Sequence, residues 1–169
     1  AILDQSHRLG LRVTRARDRQ HLRRGQPGSA RGLNEPNVAF EAIEDFSGAL
    51  ALKNESMLAH LKRGDSYRRR GELSAALRDL RDASLLDPTA TRPLELLGDV
   101  NVAMGRYERA TEVYRRYVAL DDRAPRIVYK LALAFYRNGQ GGLAIEPLHR
   151  ALALDERFVE AHYLLAMCL

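Results

Sequence analysis

The 169-residue chain has no tryptophan, one cysteine (Cys168), three methionines and only three lysines. Each scarcity closes off a class of protein. A single cysteine cannot build an internal disulfide framework, and its presence fits a reducing compartment, so a cytoplasmic location is expected. No apolar run approaches the ~18 residues that a membrane-spanning helix needs. The five histidines, His7, His21, His60, His149 and His162, never pair with each other or with the cysteine at metal-ligand spacing, so no metal and no cofactor are expected. Gly-Gln-Gly-Gly at 139–142 lacks the Lys-Ser/Thr that would follow it in a phosphate loop. No nucleophile, base and orienting group converge in the sequence, and catalysis is not expected. The shortage of lysine is matched by 24 arginines, a bias expected of a GC-rich bacterial genome.

The net charge of +5 is unevenly distributed. Residues 1–35 hold eight arginines against Asp4, Asp18 and Glu35, while residues 36–169 hold nineteen basic and nineteen acidic groups. A basic arm thus precedes an electrically balanced body. The arm reads first as a solvated leader or linker. Packing on the end of the body, or contact with nucleic acid or anionic lipid, are alternatives, though no aromatic residues are interleaved for base stacking. Residues 25–37 carry three glycines and two prolines and read as a break. From Val38 onward Phe40, Ile43, Phe46 and Leu50 recur at helical spacing.

The body repeats every 34 residues. Gly64, Gly98, Ala132 and Ala166 form one ladder; Ala76, Ala110 and Ala144 a second; Gly71, Gly105 and Gly139 a third; Asp87, Asp121 and Asp155 a fourth. Small residues at fixed places let two helices approach closely, and each glycine of the third ladder suits a left-handed helix end. Asp87-Pro88 and Ala124-Pro125 punctuate the joins. Two departures fall in the second unit, where Asn101 stands at an aromatic position and Tyr117 at a small one; the two changes could offset each other in volume. Pro147, inside a second helix, predicts a kink or a late helix start. His60 and His162 share one position and are expected to pack in the core, and Cys168 to act as a small buried hydrophobe.

A fixed period of 34 with this pattern resembles the tetratricopeptide repeat family. Numbering from 57, 91, 125 and 159, the match includes Gly64, Tyr67, Ala76, Leu80 and Ala83; Leu94, Leu97, Gly98, Ala110 and Tyr114; Leu131, Ala132, Phe135, Ala144 and Leu148; and Leu165 with Ala166. The resemblance implies an all-α, right-handed solenoid of antiparallel helix pairs. Its expected parts are an orphan second helix at 36–56, repeats at 57–90, 91–124 and 125–158, and the first helix of a fourth at 159–169. Both ends fall within a repeat, so the chain is expected to be a piece of a longer array.

The resemblance places ligands in a concave groove lined by the first helices. The side chains it assigns there include Lys62, Asp65, Arg68, Arg69, Arg92, Leu96, Asp99, Arg126, Tyr129, Lys130, Leu133, Tyr136, Arg137 and Tyr163. Across the three full repeats the groove positions hold seven basic and three acidic groups, a surplus of four. A protein-interaction scaffold for an extended or helical peptide with acidic and apolar groups is therefore expected. The carboxylate clamp of chaperone-binding relatives is only partly matched. Arg126 and Lys130 fit, but Leu61, Asp65 and Leu96 do not, so a heat-shock chaperone tail is not expected. Two other roles are compatible with the sequence. One is a recruiting segment of a larger enzyme such as a transferase. The other is self-assembly through Leu164, Leu165 and Cys168, which the last helix would expose.

Overall fold

A computed structural model describes residues 35–169 of the chain; the basic arm, apart from Glu35, lies outside the described residues. The described residues form an all-α solenoid: α1 (Glu35–Leu52), α2 (Met57–Arg69), α3 (Leu73–Leu86), α4 (Thr91–Ala103), α5 (Tyr107–Leu120), α6 (Pro125–Arg137), α7 (Gly141–Leu154) and α8 (Val159–Cys168). Helices α2, α4 and α6 are first helices of successive repeats, and α3, α5 and α7 are their antiparallel partners.

The turns explain two of the ladders. Gly71, Gly105 and Gly139 sit at φ of 78°, 69° and 76°, where a side chain would be strained. Each closes its helix with the same pair of bonds. The glycine N–H donates to the carbonyl three residues back, and the next residue's N–H donates to Tyr67, Asn101 or Phe135. The aspartates close the second helices. The N–H of Asp87, Asp121 and Asp155 donates to the carbonyl four residues back, in Ala83, Tyr117 and Ala151. Their side chains turn forward and accept from Thr89, Arg123 and Arg157 N–H groups.

Each helix packs on its neighbour in the chain, and α2 also reaches α4, as α6 reaches α8. These two next-but-one contacts both run between first helices. The joints use the small residues: Ala76, Ala83, Ala110, Ala132, Ala144 and Ala151 are wholly buried. On α1, Ile43 and Leu50 are buried as the spacing predicts, but the face continues through Ala39, while Phe40 is exposed beneath the Arg70 guanidinium. Helix α7 starts at Gly141, in register with Leu73 and Tyr107, so Pro147 causes no late start. Asn101 and Tyr117 do not share a pocket. Tyr117 packs forward with Ile127 and Leu131 of the third repeat, and Asn101 faces back toward α3.

Candidate functional site

The first helices carry the groove positions, and ion pairs divide them by repeat. In the first repeat Asp65 accepts from Arg68 at 2.7 and 2.9 Å and pairs with Arg69 at 3.3 Å on its own helix. In the second, Arg92 donates to Glu95 at 2.6 Å. Lys130, one repeat further on, reaches back to Glu95 at 3.2 Å and Asp99 at 2.9 Å. Asp99 also accepts from the Tyr114 hydroxyl at 2.7 Å. Burial pushes the Glu95 carboxyl up, but the Lys130 and then the Arg92 contacts outweigh it and leave it below its ordinary range. The Tyr114 phenol is pushed far up by burial and then by the Asp99 charge.

Lys62, Arg126 and Arg137 are exposed and make no ion pair among the described residues. The surplus of positive charge is thus carried by the first repeat, where Lys62 is unpaired and Arg68 and Arg69 share one carboxylate, and by Arg126 and Arg137 of α6. Around α6, Tyr136 and Tyr163 are exposed, and Tyr129 and Leu133 are half-buried. Tyr129 stacks at a tilt on Phe158, with ring centres 4.9 Å apart. Leu96, a groove residue by its position in the repeat, is instead buried with Ala76, Leu80 and Val100, so it offers a ligand no surface. Leu164 is also buried and Leu165 and Cys168 are half-buried; the large exposed hydrophobic side chains of α8 are Val159, Tyr163 and Met167.

Sequence reasoning misses a polar pair at the first joint. Arg63 donates to both oxygens of the buried Asp79 at 2.7 Å, and to the Ser47 hydroxyl of α1 at 3.1 Å. The carboxylate holds the guanidinium's pKa above its already high ordinary value. The signal is present in the register: Arg63 stands where Leu97, Leu131 and Leu165 stand in other repeats, and Asp79 where Val113 stands. His60 bonds Asp79 and the Asn54 carbonyl, and His162 is exposed and bonds the Glu156 carbonyl, so neither is an apolar packing residue. His60, Asp79 and Asp82 bring three possible ligand atoms within 4.8 Å. A cation there would compete with Arg63 for both Asp79 oxygens.

Comparison with known proteins agrees with this architecture. The tetratricopeptide repeat family matches residues 61–125, and the family of anaphase-promoting complex, cyclosome, subunit 3 matches residues 103–169. A Mycosarcoma maydis protein, small glutamine-rich tetratricopeptide repeat-containing protein 2, is 30% identical over 80 residues. The match takes in 47% of this chain and 23% of that protein, so the chain spans about a quarter of its length. The crystal structure of MamA superposes with a TM-score of 0.74 at 23% identity, over 77% of this chain and 76% of that one. YrrB, described as a protein of the same repeat with an unusual peptide-binding site, gives a TM-score of 0.66 at 25% identity, over 75% and 66%.

Proposed function

The chain is a tetratricopeptide-repeat protein, and from that premise we propose that it is a non-catalytic scaffold binding a peptide or helix of a partner protein, centred on α6 and α8. The observation that carries this reading is the pair Arg126 and Arg137, exposed and unpaired at the two ends of α6. They stand about 16 Å apart along the helix, with Tyr129, Leu133 and Tyr136 between them. That spacing suits acidic groups flanking an apolar stretch. Lys130 contributes little to a ligand while it holds Glu95 and Asp99. The unusual peptide-binding site described for YrrB supports the class of ligand.

Selection from a displayed random-peptide library tests the proposal. Enriched peptides should carry Asp or Glu around aromatic or aliphatic residues, and Arg126→Glu with Arg137→Glu should abolish the enrichment. Enrichment of basic peptides, or an unchanged profile in the double variant, would sink it. A second reading rests on Val159, Tyr163 and Met167, spaced by four and exposed on α8. If that face joins two copies, light scattering will show a mass that rises with concentration and falls in Tyr163→Glu.

A further inference from the structure

The second repeat lacks a ring where its neighbours have one. The eleventh residue of each repeat is Tyr67 in the first and Phe135 in the third, but Asn101 in the second. Asn101 is 3% exposed. Its Nδ2 donates to the Leu97 carbonyl at 2.8 Å, while its Oδ1 is buried with no hydrogen-bond partner. The amide cannot be turned over, because that would set two oxygens against each other at this distance. An orphan acceptor of this kind is rare in a folded interior and calls for a donor.

A cleft of about 660 Å³ opens beside it. Leu77 of α3, Leu97 of α4 and Val113 of α5 give it apolar walls. Arg81, Arg109 and Arg116 stand on its rim against Glu108 and Glu112. Residues two apart on a helix point roughly 200° apart. Leu97 and Asn101 therefore face away from Glu95 and Asp99, and the cleft lies on the opposite side of α4 from the groove.

The register adds a third observation. In the next repeat the Arg115 guanidinium lies over the Phe135 ring, 4.9 Å from its centre. Arg81 and Asn101 stand 34 residues before Arg115 and Phe135. Arg81 thus borders the cleft with no ring to cover. An unpaired acceptor, a guanidinium without its ring and the space beside them coincide.

We propose that this cleft captures an aromatic side chain bearing a hydrogen-bond donor, tyrosine or tryptophan, from an acidic segment of a partner polypeptide. The ring occupies the place of the missing one, under Arg81. Its O–H or N–H donates to Asn101 Oδ1 as the exposed rim side chains give way. Three arginines against two glutamates favour acidic flanks. Phenylalanine would fill the space and leave the acceptor unpaired. The site is separate from the groove and does not rest on it.

Titration of the full chain, isotopically labelled, with a five-residue acidic peptide carrying a central tyrosine tests the proposal. The Asn101 side-chain amide resonance should shift, and the peptide should bind roughly tenfold tighter than its phenylalanine counterpart. Asn101→Phe, which restores the ring within the chain, should abolish that binding without lowering the melting temperature. Arg81→Ala, a change at an exposed residue, should weaken it in a chain with the wild-type melting temperature, and decides the matter if Asn101→Phe folds poorly. The proposal is overturned if no peptide binds, if tyrosine and phenylalanine peptides bind alike, or if Asn101→Phe or Arg81→Ala binds like the wild type. Equal binding of N-acetyltyrosinamide and the peptide would also overturn it, by making the ligand a free small aromatic.

Discussion

In the second repeat Gly98 lies against Tyr114, and a β-carbon on that glycine would stand 2.2 Å from the ring. In the third repeat the same two positions hold Ala132 and Leu148, both wholly buried. The first has Gly64, whose added β-carbon would stand 2.9 Å from Leu80. Space at the joint is therefore shared between the helices: a methyl given up on one admits a ring on the other. The exchange also reaches the surface. Tyr114 ends in a hydroxyl that bonds Asp99, and Asp99 in turn holds Lys130. Leucine at the third joint has no such tip, and above it Leu133 replaces the aspartate. Between the second and third repeats the change from a polar to an apolar stretch of groove thus follows what the joint packs, whereas in the first Leu80 lies at the joint and Asp65 is held by Arg68 and Arg69 of its own helix.

The largest effect is expected from giving the third repeat the second's hole. Phe135 is 4% exposed, and Phe135→Asn should cost about 3–5 kcal/mol in urea unfolding. A loss below about 1 kcal/mol would mean that the third repeat tolerates a cleft as the second does. Next comes Gly98→Ala, expected near the upper end of overpacking, about 3 kcal/mol. Gly64→Ala should cost less, because the atom it meets belongs to a leucine that can shift by a few tenths of an ångström. Tyr114→Leu should rescue Gly98→Ala, and additive losses in the double variant would break the idea of shared space. Ala110→Leu, at a wholly buried joint residue, should cost about 1–3 kcal/mol.

The parts legible in the sequence are those that every repeat must satisfy alike. Helix starts, the left-handed glycines and the buried alanines recur because each joint and each turn poses the same steric demand. What escapes is specific to one repeat or depends on pairing. A count of groove charges cannot register that Lys130 is held by carboxylates 31 and 35 residues earlier. Leu96 looks like surface by its position, yet the face it shares is turned into the core. Arg63 and Asp79 escape notice because each is an ordinary surface residue alone; only their simultaneous replacement of an apolar pair gives them away. Pro147 by itself suggests a late helix, but the turn at Gly139 and Gln140 fixes the start six residues earlier.

The smallest and most selective test removes one oxygen. Tyr114→Phe keeps the ring against Gly98 and deletes the bond to Asp99, so it should cost about 1 kcal/mol at neutral pH. Its pH dependence separates the second joint from the third. The Tyr114 phenol is held above its ordinary value near 10 by burial and by Asp99, so the folded state favours the protonated form. That contribution is present in full below about pH 10 and drains away as the pH rises beyond it. Tyr114→Phe should therefore flatten the alkaline loss of stability. Tyr129 is also pushed up, by burial and then by Glu160, but it is only half-buried, so Tyr129→Phe should flatten it less. Equal flattening by the two variants would show that the buried hydroxyl at the second joint does not couple packing to charge.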